Sequence, residues 1–119
     1  MKTVNVSELI GDALDWAVAE CEGYTATFKP NEVVYVHPNG EWHHNGNWRP
    51  SLNWAQGGPI IEREKIRLDP RESSWHAQIW CEDETEVRYC NTPLIAAMRC
   101  YVASRFGKTI DIPDCLVNL

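Results

Sequence analysis

No stretch of the chain approaches the roughly 20 consecutive apolar residues that a membrane-spanning helix needs, and the amino terminus lacks an apolar signal core. The expected compartment is therefore the cytoplasm, with no membrane partner. Basic residues are the scarcer charge: 11 Lys and Arg stand against 17 Asp and Glu, for a formal charge of −6. Broad nucleic-acid binding needs a Lys/Arg surface that displaces counterions from phosphates, so direct nucleic-acid binding is not expected. Lys65, Arg67 and Arg71 come nearest to a basic cluster, but Glu62, Glu64, Asp69 and Glu72 interleave with them and suggest a solvated mixed-charge face.

Catalytic signatures are missing as well. There is no G-x-x-x-x-G-K-[ST] phosphate cradle and no G-x-G-x-x-G turn, which removes the nucleotide-hydrolase and dinucleotide-binding readings. Cys21, Cys81, Cys90, Cys100 and Cys115 form an odd set with wide spacing and no C-x-x-C pair, unlike a disulfide framework or a zinc site. We expect them reduced and mostly buried. His43, His44 and His76, even with Cys81 and Cys90, match no ligand spacing, so neither a metal nor a cofactor is expected. Asp12 and Asp15 stand three apart on a predicted helix and are read as a solvated face, while Glu62 and Glu64 form a second acidic pair. No nucleophile, base and oxyanion donor can be placed together, which gives an enzyme no positive support.

What is present is an ordinary globular composition, 44% hydrophobic and 24% charged, over 119 residues that fit one domain spanning 1–119. The expected class is α+β, with helices near both ends packed on a small antiparallel sheet. Val6, Leu9, Ile10, Ala13, Ala17 and Cys21 recur at helical spacing and predict a helix over 6–22, capped by Asn5 and closed by Gly23, with Trp16 beside the stripe. Val33 to Val36 is β-rich. Trp75, Ala77, Ile79 and Cys81 alternate with His76, Gln78 and Trp80, predicting a strand that turns at Glu82-Asp83-Glu84 into a second strand near 86–90. Thr92 and Pro93 open a second long helix whose buried face is Leu94, Ile95, Met98, Tyr101, Val102 and Phe106, ending at Gly107. The tail Ile110-Asp111-Ile112-Pro113 is apolar enough to dock on the body.

Between these elements lies the least regular and most informative stretch. Gly40 to Pro59 has no clean period, and Trp42, Trp48 and Trp54 recur in it every six residues. Aromatic content argues against disorder, and loops this long inside small domains tend to be functional. Its end, Trp54-Ala55-Gln56-Gly57-Gly58-Pro59-Ile60, joins an indole, an amide and two residues without side-chain bulk; Pro59 is expected to begin a short helical turn at Ile60 and Ile61, extending toward Ile66, although Ile60-Ile61 also suits a strand. The candidate binding residues are Trp42, Trp48, Asn53, Trp54, Gln56, Gly57 and Gly58, with His43 beside them. Indoles can stack on a nucleotide-type ligand while Gln56 or Asn53 reads its edge. They serve equally as anchors in a protein contact. A third option is structural, with Trp54 filling a gap between helices while the glycines turn the chain.

Three segments carry a resemblance. Val6-Ser7-Glu8-Leu9 with Ala13 to Ala19, Asn53 to Glu64, and Thr92 to Ser104 resemble, in order, the NinX-like family of tailed-phage and prophage proteins. The resemblance implies a phage or prophage gene expressed in a bacterial cytoplasm, and no particular reaction. The chain departs from the family pattern mainly over Trp42–Leu52 and Glu82–Tyr89, which weakens any role for Trp42, Trp48 and His43 relative to Trp54 and Gln56. Two classes of role fit such an origin. One is an accessory protein that contacts a host or phage protein, or a second copy of itself, through the Trp54–Pro59 segment; the other is a binder of a nucleotide-type small molecule such as a host defence signal. A small hydrolase is the third reading.

Overall fold

Helix α3, Pro93–Phe106, is the element around which the molecule packs. Its start is set by Thr92, whose hydroxyl accepts from the Ile95 N–H at 3.2 Å, and by Pro93 at the first position, where no N–H is needed. Gly107 ends it with φ of 91°. Buried residues run almost all round the helix, from Leu94 through Ala103, and a helix without a polar face belongs inside a core. Alanines 96, 97 and 103 let neighbouring elements approach closely. Phe106, expected on the buried face, lies at the exposed last turn.

The computed structural model describes residues 1–44, 46–80 and 85–117. Against α3 pack β6 (Trp75–Trp80) and β7 (Thr85–Cys90), together with α1 (Gly11–Glu22) and α2 (Trp54–Glu64). β5 (Arg67–Pro70), β6 and β7 form one antiparallel sheet, with Ala77 opposite Leu68 and Arg88. Ala77 and Ile79 are buried, as the alternation predicts; Cys81 and the turn at Glu82-Asp83-Glu84 lie outside the described residues. β2 (Thr25–Lys29), β3 (Glu32–Val36) and β4 (Trp42–His44) make a second antiparallel sheet, its first hairpin closed by Asn31 at φ of 64°. β1 (Lys2–Asn5) pairs with β8 (Thr109–Ile112), which buries Ile110 and Ile112 and docks the tail. The class is α+β, with three small antiparallel sheets where one was expected among the described residues.

The first helix starts later than its stripe suggests. Val6–Glu8 is a single 3-10 turn, Leu9 and Ile10 are extended, and Gly11 at φ of 60° opens α1. Asn5 makes no side-chain cap, and Ile10 is exposed. Gly23 closes α1 in the left-handed conformation, as expected for a C′ glycine. Trp16 is buried against the core.

The three helices meet in one polar clasp. Arg63 of α2 donates to both Glu22 carboxylate oxygens of α1, at 3.0 and 2.5 Å, and Tyr101 of α3 donates its hydroxyl to the same carboxylate at 2.5 Å. Arg63 and Arg105 also bracket Glu64, at 2.8 and 3.1 Å. Burial opposes the Glu64 carboxylate, but the two guanidiniums outweigh it and hold the carboxyl below its usual range. Tyr101→Phe removes a hydrogen bond to a charged acceptor, so urea denaturation should show a loss of about 1.5 kcal/mol. Glu22 keeps its bidentate arginine, so the fold should survive.

Candidate functional site

The stretch expected as one long loop is largely structured. After β4, the chain turns back through 46–53 and enters α2 at Trp54, five residues before Pro59. The start is fixed by Asn53, whose side chain accepts from the Ala55 N–H at 2.9 Å. Pro59, expected at the beginning of a helical turn, is the sixth residue of α2 instead. A proline there has no N–H for the Ala55 carbonyl, four residues earlier, and its ring crowds that carbonyl. Gly58 eases the strain, since the usual clash before proline involves the preceding Cβ.

The side chains named from the sequence divide into inward and outward groups. Trp48 is 5% exposed and donates its indole N–H to the Asp15 carbonyl at 2.8 Å. Tyr24, Tyr35 and His43 surround its ring at centroid distances of 4.9, 6.4 and 5.2 Å, so it plugs the interior and has no free face to offer a ligand. Gln56 uses both ends of its amide on the preceding turn: Oε1 accepts from the Arg49 N–H and Nε2 donates to the Asn47 carbonyl, each at 2.6 Å. Gly57 is buried where a Cβ would lie 2.4 Å from the Pro50 carbonyl oxygen and 2.6 Å from Leu94 Cδ1. These residues, with the Asn53 cap, hold the turn to α2 and α2 to α3. Both ends of Gln56 are thereby tied to the turn, and a ligand could meet only its second N–H and second lone pair.

Asp15 completes the inward group and corrects the solvated face expected for it. It is 3% exposed, and its carboxylate accepts from the Ser51 N–H at 3.0 Å. Burial pushes its carboxyl up to about 6, opposed mainly by the Ser51 contact. The Ser51 hydroxyl beside it is buried and makes no hydrogen bond of normal geometry.

Outward stands Trp54, 53% exposed, with its ring lying over Gly58: a Cβ on that glycine would meet indole Cε3 at 3.9 Å. Leu52, 59% exposed, is beside it in sequence, and Ala55, Pro59 and Glu62 are exposed further along the helix. Positions 54, 55, 58, 59 and 62 share one helical face. Leu52, Ala55, Pro59 and Glu62 are not among the candidate binding residues read from the sequence, although their spacing becomes readable once α2 is known to begin at Trp54. Trp42 stands apart on β4, opposite Val36, where its indole meets His44 edge-on at 5.1 Å.

The histidines do not converge. His43 lies in the Trp48 cage, His44 pairs with Glu32, and His76 stacks on Tyr89 at 4.5 Å while Arg71 contacts its Nδ1. They sit in three separate surroundings, and no group of three or more His, Cys, Asp or Glu gathers as a ligand set among the described residues. Cys100 is buried and Cys21 and Cys90 are half-buried, but Cys115 is exposed, contrary to the expectation of mostly buried thiols. None of the helices among the described residues is long and apolar enough to cross a membrane.

No curated protein matches the chain. A family model described as Bacteriophage P22, NinX matches residues 5–105, a span that takes in α1, α2 and nearly all of α3. With the clasp between the helices and the outward face of α2 both inside that span, the chain belongs to the bacteriophage P22 NinX family.

Proposed function

We propose that this phage-family protein is a non-enzymatic accessory module that binds a host or phage protein through the outward face of α2. One observation carries this reading. α2 holds a proline in its interior at position 59, adverse to a helix and exposed on its outward side. Gly57 is accounted for by the Pro50 carbonyl and Gly58 by the proline that follows it; Pro59 is exposed on the helical face that carries the half-exposed Trp54 indole. Local rules broken without compensation inside the fold are expected at functional sites. A half-exposed tryptophan with an apolar rim suits the anchor of a protein contact, where tryptophan is enriched.

The nucleotide-type alternative draws less support at this place, because the amides that would read a base are engaged inside the protein. Affinity capture from phage-infected cells, followed by reconstitution with the purified partner, tests the proposal. Trp54→Ala is expected to abolish the reconstituted complex while changing stability by no more than about 0.5 kcal/mol, the range of a surface substitution. Equal binding by both proteins would overturn it.

A further inference from the structure

Three features of the α2 face converge on one kind of side chain. The indole of Trp54 rests on Gly58 and turns its other face to solvent. On the same helix, the Ala55 carbonyl lacks its usual donor, because the residue four positions on is Pro59. Glu62 is exposed, and its side chain pairs with no other described residue. Helical side chains lean toward the amino terminus, so the Glu62 carboxylate projects back over the level of Gly58 and Pro59. A π-face, a carbonyl deprived of its usual donor and a carboxylate thus belong to one stretch of α2.

We propose that the side chain received there is an exposed arginine of the partner protein, a refinement that rests on reading α2 as the contact face. A guanidinium is planar enough to stack on the indole, carries donors for the Ala55 carbonyl and Glu62 together, and keeps its charge at any physiological pH. A lysine matches the charge but not the plane. The formal charge of −6 on the chain favours approach by a basic segment.

The test is to pan short random displayed peptides on the immobilised full-length chain and then measure the recovered peptides in solution. Arginine should be enriched over lysine, and arginine-to-lysine exchange within a peptide should weaken binding. Trp54→Leu, which keeps apolar bulk but removes the π-face, should weaken binding about tenfold, and Glu62→Gln about two- to fivefold. Both variants should keep the wild-type melting temperature. Peptides that depend on Trp54 but show no preference for arginine would overturn the inference and leave the contact face standing. Failure to recover any peptide that senses Trp54→Leu would overturn both. Self-association of the chain that Trp54→Leu abolishes would assign the face to a second copy and overturn the partner arginine.

Discussion

Replacing Gly57 with alanine should destabilise the fold by about 3 kcal/mol or more, at the upper end of what overpacking a core usually does. The added methyl would stand 2.4 Å from the Pro50 carbonyl oxygen and 2.6 Å from Leu94 Cδ1. The leucine can rotate aside; the carbonyl belongs to a turn that cannot. Gln56 holds that turn at Asn47 and Arg49, and Asp15 holds it at Ser51. Relief therefore requires α2 to separate from the turn or from α3. The neighbouring glycine should be far more tolerant. At Gly58 the nearest atom to a new Cβ is the Trp54 ring at 3.9 Å, ordinary contact, and the roughly 1 kcal/mol that alanine gains as a helix former is offset by the clash of its Cβ with the following proline. The denaturant midpoint should fall steeply for Gly57→Ala and move little for Gly58→Ala. Equal shifts would show that the turn does not pin α2 as described.

Asp15 makes the second large prediction. Asp15→Ala should destabilise by about 2–4 kcal/mol, because it orphans the buried Ser51 N–H and opens a gap beneath the turn. Asp15→Asn should behave differently, since an amide oxygen can still accept from Ser51 without burying a charge. The sign of the pH effect follows from the raised carboxyl. Folding lifts it from 3.8 to about 6, so the folded state holds the proton more tightly than the unfolded state does. The stabilisation from that proton is fully present below pH 3.8 and is lost as pH rises through about 6. A rise of that size corresponds to about 3 kcal/mol. Glu64, held low by its arginines, runs the other way and loses its contribution as pH falls. The clean measurement is therefore the difference between wild type and Asp15→Asn across this range. The variant should gain relative to wild type as pH rises from 3.8 to about 6, with the gain complete above that. A constant difference would mean that Asp15 is not a buried acid.

The sequence disclosed α3 nearly residue for residue because its signals are local: a capping threonine, a proline at the first position, a glycine at the end. The β6–β7 pairing was readable for the same reason, through strict alternation from Trp75. α2 was misread at its start because Gly57-Gly58-Pro59 is a turn signal by propensity, and tertiary contact overrode it. A competing signal was present in Asn53 followed three residues later by Gln56, the spacing of a capping box, although Gln56 bonds the preceding turn instead. The β1–β8 pair joins the two ends of the chain, and no local pattern encodes a partner so far away. Trp48 and Trp54 look alike in sequence. Only the fold separates the indole bonded to Asp15 from the one left half in solvent. Asp15 itself lay within a hydrophobic run from Ala13 to Ala19, a hint of burial outweighed by its i+3 relation to Asp12.

The claim beneath the functional reading is that the outward face of α2 is shaped for contact at the expense of the helix. Thermal unfolding of Pro59→Ala tests it without knowledge of the partner. Restoring the N–H to the Ala55 carbonyl should gain about 1–2 kcal/mol after allowing for the freer unfolded chain. A melting temperature raised by roughly 4 °C or more is the predicted result. A lower melting temperature would show that Pro59 serves the fold itself, and would contradict the account.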